Sequence, residues 1–507
     1  MKEREQDQPK KRLSLPIPLR ENGVLSWRFL AALTLIGCVV TEILFNIMPI
    51  DHDTLLMYWF FPVSLVLLTQ LYFGLRFTKH REIRFLLVYL AWMCLTVLLN
   101  RNRAHLVEAY PWFMCVITVL FLCFSLPYAF DQKTASRVMT ALAVATVLAV
   151  AFLSIVSLLS VYTNWFSGMF PSFSEGIFFD GGRLRIDNHP NRSAPAQAVA
   201  VILIGYLLAR SRKRWQRVAW VLCGVLCYIP LALTVSRTGI IGAGLAIGFE
   251  VYLVLREVLK PRMKTVLRVF LCAIAACVSL VAIYEGAELV GRVNNAYLVR
   301  VEAPAAQAAA IAPSAAQEDS AVAPSATAQP AGNDAASSEA VASNEVVARD
   351  LSDAESFNGR TDIWRGVLNG ILQNPKILVI GTGPAVASEV MSPYFPVNSP
   401  IGYFHNSLVA VLVSFGVVGL LLTLAFLALV AVAAVKLSFG KENSKAPLYM
   451  RLLPAVLLFT FAEGMMEDFL FAYQSLNVSW VWFMIAAGFV VYAVKREPAK
   501  DQQEIKE

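Results

Sequence analysis

About twelve apolar runs, each close to the twenty residues needed to cross a bilayer as a helix, recur along this 507-residue chain. They are Trp27–Ile50, Thr54–Leu75, Ile83–Leu99, Pro111–Phe130, Ser136–Tyr162, Ala194–Ala209, Val218–Val235, Gly239–Leu255, Thr265–Tyr284, Ser407–Val435, Leu452–Met466 and Ser475–Val494. With 57% hydrophobic and 16% charged residues, the chain has more apolar sequence than soluble domains can bury. A cytosolic enzyme, a secreted disulfide scaffold and a disordered protein are excluded. The expected fold is an all-α polytopic membrane protein with about twelve transmembrane helices. No cleavable signal peptide is visible, because the first apolar run follows a long basic tail and is itself long enough to span. The eight cysteines (Cys38, Cys94, Cys115, Cys123, Cys223, Cys227, Cys272 and Cys277) all fall in apolar runs. There they act as small hydrophobes rather than as a zinc or redox motif.

The net charge of +7 reads as sidedness, not nucleic-acid binding. With the N-terminus inside, roughly 28 of the 43 Lys and Arg fall in predicted cytoplasmic segments and about 12 in outer loops. Both termini are then cytoplasmic. The expected organisation is a cytoplasmic tail over 1–26, helices one to nine over 27–284 with an outer loop at 163–193, and a large outer loop at 285–405. Helices ten to twelve follow over 406–494, with a second cytoplasmic tail at 495–507. Within the large loop, 303–343 is nearly all Ala, Pro, Ser and Gln and reads as a disordered insert. Arg360–Leu372 then resumes helical spacing at Ile363, Val367 and Ile371, and Gly381-Thr382-Gly383-Pro384 marks a turn.

The polar residues of the outer side are the candidates for chemistry. His405, in Tyr403-Phe404-His405-Asn406 at the mouth of the tenth span, could take a proton from an incoming hydroxyl. From position alone, an interfacial histidine that merely hydrogen-bonds at the membrane boundary is the more ordinary reading. Arg183, Arg185, Arg237 and Arg360 run against the usual outer-loop bias. Arginines converging from separate loops suit a phosphate or pyrophosphate on a lipid. Alternatively, each pairs with a local acid such as Asp180, Asp187 or Asp362. Asp51-His52-Asp53 is a weak D-x-D metal motif in a very short loop. Glu463 and Glu467 lie one helical turn apart near the outer end of the eleventh span, and Glu42 lies within the first. Intramembrane carboxylates are candidates for function, and Glu463 is the one to test. No P-loop is present, which argues against an ATP-driven pump with its own nucleotide site.

Taken in order, Arg183-Leu184, Pro190-Asn191, Ser236-Arg237-Thr238-Gly239, Gly359-Arg360 with Trp364, Pro375, Gly381 and Gly383, and finally His405-Asn406 with Gly416 and Gly419, resemble the O-antigen ligase and polymerase family of membrane glycosyltransferases. The resemblance covers roughly 180–421. It implies a protein of the bacterial inner membrane whose active site faces the periplasm. Glycan would pass from an undecaprenyl-pyrophosphate carrier to an acceptor hydroxyl, with inversion and with neither metal nor cofactor. Arg183 or Arg185, with Arg237, would hold the pyrophosphate, helped by Arg360, and His405 would be the base. Asn191, Asn406 and Glu463 would be supporting residues. The chain departs from the family pattern at Ile186, where a glycine is expected, so the choice between Arg183 and Arg185 stays open. The acceptor would be lipid A-core for a ligase, a second repeat unit for an O-antigen, capsule or exopolysaccharide polymerase, or protein for an O-oligosaccharyltransferase. Ligase is preferred, because a single histidine before the tenth span fits that member best. The competing classes are a flippase or transporter of the lipid-linked glycan and a metal-dependent enzyme built on Asp51 and Asp53. Against a transporter, the sequence has no internal repeat and little mid-span charge.

Overall fold

A computed structural model describes residues 20–21, 24–44, 79–100, 104–169, 171, 177–180, 183–186, 190–259, 265–311, 356–395, 404–440, 446–467 and 477–495. These residues form a helical bundle, and nine of the described helices are long and apolar enough to cross a membrane. The second expected span and the Asp51-His52-Asp53 motif lie outside the described residues.

The helices are α1 (Trp27–Leu44), α2 (Arg81–Leu99), α3 (Ala104–Ser125), α4 (Gln132–Tyr162), α5 (Pro190–Arg210), α6 (Arg214–Leu233) and α7 (Arg237–Val258). Then come α8 (Thr265–Ile311), α9 (Ser356–Gln373), α10 (Pro375–Ile380), α11 (Ser407–Phe439), α12 (Pro454–Met466) and α13 (Val478–Lys495). At the centre, α13 packs against α3, α11 and α12 and buries Trp480, Trp482, Phe483 and Phe489. A helix apolar on every face belongs in the middle of a bundle or in lipid. α8 is the lipid-facing case, exposing Phe270, Val278, Val281 and Val293.

The bundle holds α8 through small residues on α7. A Cβ on Gly248 would sit 2.8 Å from the Ala276 carbonyl oxygen, and one on Gly244 would sit 2.6 Å from Leu280 Cδ1. Glycines four apart let two membrane helices approach closely, where van der Waals packing replaces the missing hydrophobic drive.

Two departures from the expected layout concern the large loop. α8 does not end at Tyr284 but runs to Ile311, so residues 285–311 of the expected loop, including the first part of the Ala/Pro insert, are helical. The Ala- and Leu-containing sequence there favours helix intrinsically. Residues 312–355 lie outside the described residues.

The second departure is that α11 is broken at Gly416, with φ 66° and ψ −172°, a conformation open essentially only to glycine. A broken helix frees carbonyls that lipid cannot satisfy. Here they find partners in protein. Thr382 N donates to Val413 O at 2.9 Å, Gly383 N to Ser414 O at 3.0 Å, and Trp92 Nε1 to Phe415 O at 3.0 Å. Gly381, itself at φ 86°, leaves room for this contact, since a Cβ there would lie 2.3 Å from Ser414 O. The turn expected at Gly381–Pro384 is therefore the lock that seats the outer loop in the break. Above it, Ile363, Val367 and Ile371 of α9 pack with Ile377, Met391, Phe404 and Val413 into a separate small core. This core carries Arg360 and His405 to the rim.

Candidate functional site

The rim residues sit together because several helices begin or end at one end of the bundle. α7 packs against α12, with Gly242 against the Phe459 ring. The two helices run antiparallel, so counting outward along both brings Arg237 to roughly the level of Gly464 at 1.5 Å per residue. The start of α5 is there too, where Ala194 meets Gly239.

At this end His405 is held by an acid. Its Nδ1 lies 3.1 Å from Glu467 Oε2. With the carboxylate as acceptor, the tautomer this contact favours carries its proton on Nδ1 and leaves Nε2 as the basic nitrogen. Glu467 is only 3% exposed, and its other oxygen accepts from Arg360 Nη2 at 3.1 Å. Arg360 Nη1 donates to Met466 O at 2.7 Å. The backbone around the pair is also tied. Ser407 Oγ donates to Glu467 O at 3.0 Å, and Asn406 Nδ2 donates to Met465 O at 3.1 Å. Asn406 Oδ1 caps α11 by accepting from Leu408 N and Val409 N. Trp364 Nε1 donates to Phe404 O at 2.8 Å, anchoring α9 beside the histidine. His405 itself has φ 49°, a left-handed conformation uncommon outside glycine, which the surrounding bonds hold in place.

The other half of the rim is a hairpin and a turn. Strands Ile177–Asp180 and Arg183–Ile186 pair antiparallel, with Phe178 opposite Arg185 and Asp180 opposite Arg183. Gly181-Gly182 separates them in sequence, a pair suited to a two-residue hairpin connection. Leu184 and Ile186 are fully buried, so Arg183 and Arg185 share the opposite face. Arg183 Nε donates to Thr234 O at 3.0 Å and its Nη2 approaches Val235 O at 3.5 Å. The Arg185 guanidinium carbon lies 5.9 Å from the Phe178 ring centre. Val235 has φ 51° and turns the chain from α6 into α7. Ser236 caps α7 by accepting from Gly239 N at 3.4 Å, and half-buried Arg237 is the first residue of that helix.

The expectations divide accordingly. His405 and Arg360 are brought together, but through Glu467. Arg360 pairs with Glu467 rather than with Asp362, and Asp362 instead meets exposed Arg365 at 3.3 Å. Arg183 and Arg237 meet through the turn at Thr234–Ser236. Glu463, the acid singled out above, points elsewhere and accepts a hydrogen bond from Ser479 Oγ. The reason is local: α12 ends at Met466, and Glu467 adopts an extended conformation (φ −135°, ψ 159°) that swings it away from the helical line. Sequence reasoning passed over Glu467 because helical spacing makes the two acids equivalent. The hairpin was missed as well, although the alternation of Arg183-Leu184-Arg185-Ile186 after two glycines is a readable strand signal. Asn191 is the second residue of α5, and its side chain lies outside the described residues. Among the described residues no three His, Cys, Asp or Glu side chains group as metal ligands would.

Residues 222–424 match the model of a protein family described as O-antigen ligase. The match includes Arg237, Arg360, His405 and Gly416, and stops short of Arg183 and Arg185 on one side and Glu467 on the other. Comparison with curated proteins finds no match.

Proposed function

We propose, from a family match that supports assignment to the O-antigen ligases and polymerases, that this chain is a membrane glycosyltransferase using a lipid-linked glycan donor at its outer rim. The observation that carries the reading is the His405–Glu467 hydrogen bond, because it makes a general base out of an interfacial histidine. The acceptor hydroxyl attacks the anomeric carbon and gives its proton to His405 Nε2. The bond from that carbon to the carrier pyrophosphate breaks, its electron pair leaves with the pyrophosphate, and the anomeric configuration inverts. The Glu467 carboxylate stabilises the imidazolium, and Arg360 acts by fixing Glu467. It is a positioning residue in this scheme rather than a pyrophosphate ligand.

Arg185 and Arg237 take the charge that develops on the undecaprenyl pyrophosphate. Guanidiniums placed before the reaction stabilise such charge without reorganising, usually the larger contribution to rate. Two of the five Arg183 donors are directed at Thr234 and Val235, so its role is to set the turn that presents Arg237. The acceptor in this proposal is a lipid A-core hydroxyl, the chemistry needs no metal, and the face is periplasmic.

Purified protein in proteoliposomes, given undecaprenyl-pyrophosphate-linked glycan and each acceptor class in turn, tests the reading. Release of free undecaprenyl pyrophosphate coupled to acceptor glycosylation, unaffected by EDTA, is the expected result. Donor movement across the bilayer without such release would mean a flippase, and unchanged transfer in His405→Ala would remove the base from the scheme.

A further inference from the structure

The end of the bundle opposite His405 holds a second polar feature that glycosyl transfer does not use. The start of α4, the end of α5, the segment before α12 and the last turns of α13 enclose a cavity of about 850 Å³. Lys133, Arg137, Arg210 and Arg212 line it, together with the carboxylate of Asp131. That carboxylate caps α4 by accepting from Thr134 N at 2.7 Å. Arg210 is held in place rather than splayed into solvent. Its Nη1 donates to Ser136 Oγ at 3.1 Å, and its guanidinium carbon lies 4.7 Å from the Tyr449 ring centre. Tyr449 Oη is in turn 3.1 Å from Ser136 Oγ. A guanidinium stacked on an aromatic ring and bonded from one side is preorganised to bind an anion with its remaining donors. Pro447, Met450 and Tyr492 give the same cavity apolar walls.

A soluble anion has no use for those walls, whereas a lipid headgroup with its first acyl carbons matches both surfaces. The position also fits, because the cavity opens among helix ends on the side that the basic-residue distribution predicts to be cytoplasmic. Basic pockets between helices on that side suit anionic lipids. We propose that this pocket binds the headgroup phosphate of an anionic phospholipid from the inner leaflet, with Arg210 and Lys133 as its principal cations.

The test is lipid retention by the purified full-length protein, read by native mass spectrometry in a mild detergent. The probes are dioleoylphosphatidylglycerol, dioleoylphosphatidylcholine and inorganic phosphate. Phosphatidylglycerol is expected to be retained at one per chain and phosphatidylcholine to be lost. Lys133→Gln and Arg210→Gln should each weaken retention about fivefold. Lys133 is exposed, so its variant guards against a misfolded Arg210→Gln. Equal retention of phosphatidylcholine, or unchanged retention in both variants, overturns the proposal. Inorganic phosphate binding as tightly as the lipid, with the same loss in Arg210→Gln, also overturns it in favour of a soluble anion. Donor turnover at the opposite rim is measured separately, so failure here leaves the glycosyltransferase reading untouched.

Discussion

The two halves of the rim are assembled by different means. His405, Glu467 and Arg360 meet through side chains, with partners 62 and 107 residues apart in sequence. Arg183 and Arg237 meet through backbone: one arginine donates to carbonyls of the turn that the other follows. In the first half the geometry depends on charge, and an isosteric change that removes charge should disable it without unfolding anything. In the second the geometry depends on main-chain shape, so exchanging an arginine side chain there should remove its function while leaving the turn in place. Function and stability should therefore separate differently in the two halves.

The sharpest way to break that comparison is His405→Ala, expected to lower glycan transfer by roughly 10²–10⁴-fold in the proteoliposome assay. Its thermal unfolding midpoint should stay close to wild type, because His405 lies at the rim and not in the core. Next comes Arg237→Ala, expected to cost about 10²–10³-fold in turnover, with Arg185→Ala close behind. If the hairpin half works by guanidinium placement, lysine at either position recovers only part of this, since it cannot grip bidentately.

Glu467→Gln is expected to lower turnover roughly 10–100-fold, the loss of one charged hydrogen bond at about 1.5–3 kcal/mol. Combining it with Arg360→Met should cost clearly less than the product of the two single losses, because both act through one contact. Independent effects in that double-mutant cycle would show that Arg360 touches the donor directly. The smallest effect is expected from Val235→Gly. Relieving a β-branched residue at φ 51° removes strain on the order of 1 kcal/mol, so the unfolding midpoint should hold or rise slightly. Turnover should nevertheless fall severalfold as the turn under Arg237 loosens. A variant with lower stability and full activity would contradict the backbone account of that half.

Much of this molecule was legible before folding. Apolar runs of about twenty residues are local signals, and each expected span within the described residues is met by helix. The face formed by Ile363, Val367 and Ile371 is buried as its spacing predicts. His405, Arg360, Arg183 and Arg237 could be named as candidates from their expected outward position and residue type. What spacing could not decide was which partner each would meet. Glu463 and Glu467 look equivalent until α12 stops at Met466 and one extended residue sends the second acid to His405. Gly381, Gly383 and Gly416 read as separate turn or helix glycines until the break in α11 puts freed carbonyls within reach of Thr382 and Gly383.

The sequence by itself determined that this is a helical membrane protein, which end of it is basic, and which few polar residues lie at the other end. Those properties depend on the transfer of each segment between water and lipid, a quantity summed over neighbouring residues. Only the tertiary structure decided that Glu467, not Glu463, meets the histidine, that Arg360 meets that acid, and that four cations at the opposite end line one cavity. Those are contacts between segments far apart in the chain, set by where helices end and how closely they pack.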